Sequence, residues 1–279
     1  MSNTEPTSKT GVTYWDYIQL DQLLSLQAPR TTAHDEPMFI MVHQAFELWF
    51  RLAIYELRGA IAALESGNTQ QGIALLKRVS VILRTAHAGF DPLMTMTQQG
   101  YAEFRDALRP ASGFQSSQFR VMEILLGIRQ VPSADDAAKE QFHWEVVAAQ
   151  AGETFVNFMA RYHQELLDIY NESRSNNLRA LMLRLTEEGT GKTGVEAYRY
   201  LGAHRAQLPE LAALADAGRD LQTALLDFRL SHHKVTVFTI GDAAGTSDAH
   251  NPVHSSCAGY LLNVIKEQST IFPELEAGM

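Results

Sequence analysis

"HDEPMFIMVHQAFELWF", residues 34–50, carries its apolar side chains at helical spacing. Phe39, His43, Phe46, Phe50, Ala53 and Leu57 recur at alternating steps of four and three. That period puts all six on one face of a helix, the face that folding buries. Asp35 is the expected N-cap and Pro37 suits the first turn, so the helix should start there. It should run to about Leu64, where "ESGNT" ends it. The one polar member of the stripe is His43. A buried neutral imidazole is costly unless its ring nitrogens find partners or a ligand. For a lone histidine a backbone carbonyl in the core is the simplest explanation, so His43 needs company before it marks a site.

Working outward, helical periodicity continues in both directions. A first short helix is expected near 13–26, "TYWDYIQLDQLLSL", stopped by Pro29. Another spans roughly 68–88, and "YAEFRDAL" at 101–108 forms a short one before the break "RPASG". "FQSSQFRVMEILLG" follows, and 135–185 reads as two more helices with the polar break "NESRSNN" between their halves. Two long amphipathic segments meet near Pro209, and a last helix, "SSCAGYLLNVIKEQS", ends before "FPEL". The nearest strand candidate is the β-branched run "HHKVTVFTIG" at 232–241, which is continuous with the helical pattern before it. With no internal repeat and no low-complexity linker, the expectation is an all-α, single helical-bundle domain over residues 13–279. The polar residues 1–12 should form a flexible N-terminal arm.

The chain has 279 residues, 46% hydrophobic and 20% charged, ordinary values for a globular protein. A net charge of −9 argues against nucleic acid or an anionic membrane as the main partner. No uninterrupted apolar run approaches the roughly 20 residues that span a bilayer. The N-terminus lacks the apolar core of a secretory signal. The single cysteine, Cys257, excludes an intrachain disulfide and a cysteine zinc site, so a reducing cytoplasm is the expected setting.

Histidines inside a helical bundle suggest a metal or haem held between facing helices. Di-iron carboxylate sites need paired Glu-x-x-His motifs, and "HQAFE" at 43–47 and "HQE" at 163–165 lack that spacing. His-Glu-x-x-His, the zinc-protease signature, is absent. Haem asks for less: one axial imidazole, an apolar pocket and some polarity on the open face. His232 shares a stripe with Leu221, Leu225, Phe228 and Val235, and His233 with Leu226, Leu230, Val237 and Ile240. Periodicity alone does not choose between them, nor between haem and ordinary core histidines. Tyr101 and Arg105, four apart, share a helix face, and a guanidinium fork suits a carboxylate. The simpler account of Arg105 is a surface pair with Asp106 or Glu103. "GTSDAHNPVHSS" at 245–256 suits a loop closing over a polar ligand, or a solvated connector.

Taken together, "YWDYIQLDQLLSLQ", "HDEPMFIMVHQAFELWF", "FRDALRPASGFQSSQFR" and "IGDAAGTS" resemble the tryptophan 2,3-dioxygenase family, in its order and near its spacing. The resemblance implies an all-α fold with a haem pocket between helices, haem b as cofactor and O2 as co-substrate. It implies a homotetramer, a dimer of dimers, that oxygenates the indole C2–C3 bond of L-tryptophan or a substituted tryptophan to an N-formylkynurenine-type product. By the same resemblance His43 matches the distal histidine beside the indole nitrogen, and Phe39 a pocket wall. His232 matches the axial ligand of the haem iron, and Phe90 an aromatic neighbour of the haem. Tyr101 and Arg105 match the substrate end of the pocket, Arg105 holding the amino-acid carboxylate. Thr246 matches the contact to the substrate's ammonium and carboxylate, and Ser112 and Gly113 the turn near bound oxygen. Tyr14, Tyr17 and Ile18 match a segment that enters the neighbouring subunit's pocket.

Two departures stand out. The family's compact "GTGGSSG" loop becomes "GTSDAHNPVHSSCAG" at 245–259, and Leu230–Ser231 precede His232 where the family usually has a basic residue. They carry the alternatives of mono-oxygenation of tryptophan or β-methyltryptophan to an oxindole in secondary metabolism. A helical haem-binding protein without turnover is the further alternative; the joint presence of Tyr101, Arg105 and Thr246 argues against it.

Overall fold

The computed structural model describes residues 11–109, 111, 116–128, 168–173, 175–241, 257–268 and 270–278. In chain order the helices are α1 (Tyr14–Tyr17), α2 (Leu20–Leu24), α3 (Glu36–Glu65), α4 (Thr69–Ala88), α5 (Phe90–Leu93) and α6 (Gln98–Arg105), the last running into a 3-10 turn, Asp106–Leu108. There follow α7 (Ser117–Leu126), α8 (Leu178–Thr190), α9 (Gly194–Ala203), α10 (Pro209–Ile240), α11 (Cys257–Gln268) and α12 (Pro273–Gly278). No strand occurs among the described residues, and the fold is all-α.

Local sequence explains most of the ends. Asn68 accepts the Gln71 amide, Thr97 that of Gly100, Ser116 that of Phe119 and Asn177 that of Ala180, each capping the helix that follows. Gly127 and Gly191 end α7 and α8 in the left-handed conformation that residues with a Cβ avoid. The start of α3 differs from expectation. Asp35 occupies the N-cap position without a side-chain cap bond. Glu36, 1% exposed, instead reaches back to the amides of Arg30 and Thr31 and the Thr31 hydroxyl. Burial opposes ionisation of Glu36, but those three donors outweigh it and hold its carboxyl below the usual value.

The bundle is built on three long helices, α3, α4 and α10. α3 and α4 form an antiparallel hairpin, and α10 packs against α4 with Phe228 reaching Phe46 and Phe50 of α3. The core runs through this sheaf: Phe50, Ala53, Leu57 and Leu64 of α3, Leu76, Val79 and Leu83 of α4, and Leu221, Leu225 and Phe228 of α10. Arg78 of α4 grips both oxygens of the buried Glu56 on α3 at 3.0 Å. The chain closes with α12 against α9, where Gln222 of α10 accepts the Ile271 and Phe272 amides at 2.7 and 3.0 Å.

Two further expectations change, and the helical reading of 232–241 holds. The single helix over 13–26 is two short pieces, because Gln19 turns into a left-handed conformation (φ 53°) between them. The strand candidate 232–241 is the last part of α10. Its threonines satisfy their hydroxyls within the helix, Thr236 on the His232 carbonyl and Thr239 on that of Val235. The segment "FPEL" opens α12 instead of lying beyond the last helix. Most of 135–185 lies outside the described residues.

Candidate active site

The predicted stripe of α3 forms one wall of a cavity of about 580 Å³. Phe39, His43, Phe46, Glu47 and Phe50 line it from α3, and Phe228, Arg229, His232, Val235, Thr236 and Thr239 from α10. α5 and the turn after it add Phe90, Leu93 and Met96, α6 adds Tyr101, and α7 closes one end with Phe119, Arg120 and Glu123. The aromatic rings contact one another in a chain. Phe46 meets Phe90 at 4.7 Å and Phe228 at 5.7 Å between centroids, and Phe119 lies 5.3 Å from Phe50. Such a wall is rigid and excludes water.

The two histidines belong to the same space. His43 Nδ1 lies 2.7 Å from the Phe39 carbonyl. A carbonyl only accepts, so Nδ1 carries the proton and Nε2 is an acceptor. Burial lowers the pKa of His43, with the Phe39 carbonyl and Glu47 opposing, so the ring is neutral. His232 lies parallel to Phe90, 5.8 Å between centroids and 12° between planes. Burial first, then repulsion from His43 and His233, pushes its pKa down to about 4. A neutral imidazole is the form that binds a metal.

Periodicity left His232 and His233 undecided, and the fold separates them. His232 is in the cavity wall, whereas Leu230 and Val237 of the His233 stripe are 45% and 44% exposed. Tyr101 lies tilted against Phe39, 5.8 Å between centroids, and lines the cavity. Arg105, one turn further along α6, is half-buried and is not in the cavity wall. Its suggested surface partner Asp106 pairs with Arg109. Tyr14 and Tyr17 are 74% and 79% exposed and, like Ile18, take no part in this subunit's cavity. Ser112, Gly113 and Thr246 lie outside the described residues, as does most of the divergent loop 245–259.

One group at the cavity was not singled out from sequence. Glu123, fully buried, divides its oxygens between Arg120 (2.8 Å) and Arg229 (2.6 Å). The signal was a glutamate inside the apolar run "VMEILLG", which only a partner makes tolerable. Beside it Gln118 donates to both the backbone carbonyl (2.7 Å) and the carboxylate (3.1 Å) of Glu47. The donor set suits a haem: two neutral imidazoles in the walls of one cavity, aromatic faces and a polar end.

Comparison with known proteins agrees. The family model described as tryptophan 2,3-dioxygenase matches residues 2–157. The tryptophan 2,3-dioxygenase of Anaeromyxobacter dehalogenans (strain 2CP-C) is 33% identical over 279 residues, 98% of each chain. That of Bacillus thuringiensis subsp. konkukian (strain 97-27) is 33% identical over 268 residues, 96% of this chain and 91% of its own. That of Bradyrhizobium sp. (strain BTAi1) is 46% identical over 123 residues, 44% of each. On the full-length matches, with a cavity that joins the two histidines, the chain belongs to the tryptophan 2,3-dioxygenase family.

Proposed function

We propose that this protein is a haem-dependent oxidoreductase that uses O2 to open the indole C2–C3 bond of L-tryptophan or a substituted tryptophan, giving an N-formylkynurenine-type product. The observation that carries it is the pair of neutral imidazoles, His43 and His232, in the walls of one aromatic cavity of about 580 Å³. His232 is the residue to hold the iron of haem b, with Phe90 beside it. Bound haem supplies the iron that activates dioxygen, chemistry that no side chain here provides.

The chain's own residues do the rest. His43 presents its unprotonated Nε2 and accepts the indole N–H, which fixes the ring's orientation. Its Nδ1 proton is held on the Phe39 carbonyl, so His43 acts in this reading as a positioning acceptor through Nε2. Phe39 and Tyr101 form an aromatic slot beside it. Arg105, one turn on, is assigned the carboxylate, with Thr246 on the ammonium and Ser112 and Gly113 near the oxygen. Selecting an amino acid over free indole follows from such a clamp, because a site built for a charged group rejects ligands that lack it.

In this reading residues 13–279 form one oxygenase domain behind an arm of residues 1–12. Tyr14, Tyr17 and Ile18 complete a neighbour's pocket in a homotetramer, supported by the exposure of the two tyrosines here. A cytoplasmic location is supported by the single cysteine. Among the described residues no helix is long and apolar enough to cross a membrane. The test is a visible spectrum after haem addition, then mass spectrometry of products formed from tryptophan under labelled dioxygen. Two labelled atoms in an N-formylkynurenine are expected; no Soret band, or single incorporation into an oxindole, contradicts the proposal.

A further inference from the structure

Ser231 stands where the family usually has a basic residue, and the fold brings an imidazole to it from another helix. Its Oγ lies 2.6 Å from Nε2 of His87, in the last turn of α4 and 144 residues away in the chain. Both residues are half-buried. Three residues after His87, Phe90 of α5 lies parallel to the His232 ring, at 5.8 Å and 12°, and 4.9 Å from the Phe228 ring. Phe228, Ser231 and His232 are at i, i+3 and i+4, one face of α10. The corner between α4 and α5 therefore meets that face at three side chains within little more than one turn. Gly89 makes so tight a corner possible: a Cβ there would fall 2.7 Å from the Phe46 ring, in the cavity wall shared with His43.

One half-buried hydrogen bond contributes little to stability, so its use lies in where it is placed. Successive residues of a helix are about 100° apart around its axis, so pinning Ser231 to α4 fixes the rotation of α10. With it is fixed the direction in which His232 leaves the helix. Phe90 then limits the ring's own rotation by lying parallel to it. Resting on the haem reading above, we infer that His87, through Ser231, is a positioning residue for the iron ligand, and that the α4–α5 corner sets the plane of the His232 imidazole. Partners beyond a ligand orient it and tune the metal it holds, so the pair acts on the iron without touching it.

The experiment uses the haem-loaded protein and two readouts besides turnover. One is the iron–histidine stretching band of the ferrous form by resonance Raman; the other is the rate at which haem passes to excess apomyoglobin. Ser231→Ala and His87→Phe should each shift or broaden the band and speed haem loss about two- to tenfold, the size of one hydrogen bond. Because the two substitutions break the same bond, the double variant should be no worse than either alone. His87→Gln, whose amide still reaches the hydroxyl, should restore the wild-type band. Should His87→Phe fail to fold by circular dichroism, Ser231→Ala against Ser231→Thr, which keeps the hydroxyl, carries the same comparison. A wild-type band and rate in Ser231→Ala and His87→Phe overturn the inference while leaving the haem reading intact. Effects that add in the double variant, or a lower melting temperature with an unchanged band, reduce the bond to a structural contact and also overturn it. No Soret band in the wild type removes the haem reading itself.

Discussion

The position of a single proton decides what His43 is able to do. Its Nδ1–H is committed to the Phe39 carbonyl, so a substrate N–H meets the Nε2 lone pair only while the ring stays neutral. Burial places its folded-state pKa below 6.5, so the neutral form persists as pH falls through the ordinary histidine midpoint. Tryptophan affinity should therefore be flat from about pH 8 to 6.5, and a half-loss centred at 6.5 would contradict the tautomer assignment. The same reasoning separates the neighbours His232 and His233. His232→Ala should abolish the five-coordinate haem spectrum, whereas His233→Ala, on a stripe whose Leu230 and Val237 face solvent, should keep it. The reverse pattern would exchange their roles. Arg105→Ala should weaken tryptophan about ten- to a hundredfold, as removal of a charge-assisted carboxylate bond does. Equilibrium binding unchanged in that variant would put the clamp elsewhere.

At the scale of elements, α3 is fixed at its start by Glu36, whose three donors tie the turn at 30–31 to the helix that carries His43. The folded carboxyl is held below 4.5, so its contribution is complete above that value and is lost as pH falls through the lower, folded one. Glu36→Gln should cost on the order of 1.5–3 kcal/mol at neutral pH, and this difference from wild type should shrink as denaturation is measured at lower pH. A difference constant down to pH 3, well below the ordinary carboxylate value, would show that charge is irrelevant there. The stripe from Phe39 to Leu57, and its single histidine, were legible in the sequence because a helix face repeats in fixed steps. The capping residue was not, since Asp35 and Glu36 are both plausible acceptors and only the path of residues 30–35 selects one. The run 232–241 looked strand-like because threonine and valine favour strands, but back-bonded hydroxyls and burial against α4 and the cavity overrode propensity. Arg229 and Glu123, 106 residues apart, meet only through the packing of distant helices, which periodicity does not report.

For the whole molecule, the distribution of exposed apolar side chains is the informative quantity. Tyr14, Trp15 and Tyr17 of α1 and Leu24 of α2 are 74%, 48%, 79% and 63% exposed, and neither helix buries a residue. Four- and five-residue helices are unstable alone, so a segment of this composition is ordered by what it packs against. Within the subunit the connection it makes is modest: Gln44 of α3 accepts from Gln27 and donates to the Leu26 carbonyl. α3 itself exposes a second stripe, Met41, Leu48, Leu52 and Tyr55, on the side away from the cavity. Exposed apolar surface on this scale marks association more often than solvent contact. The active unit should therefore be an oligomer in which the aromatic residues of one arm reach a neighbour's cavity. Activity per subunit should fall on dilution below the dissociation range, while the haem spectrum, which depends on His232 and Phe90 of the same chain, persists. Removing residues 1–19 should reproduce that pattern, with haem retained and tryptophan turnover lost. Sedimentation velocity that finds a monomer with full turnover would exclude a shared pocket.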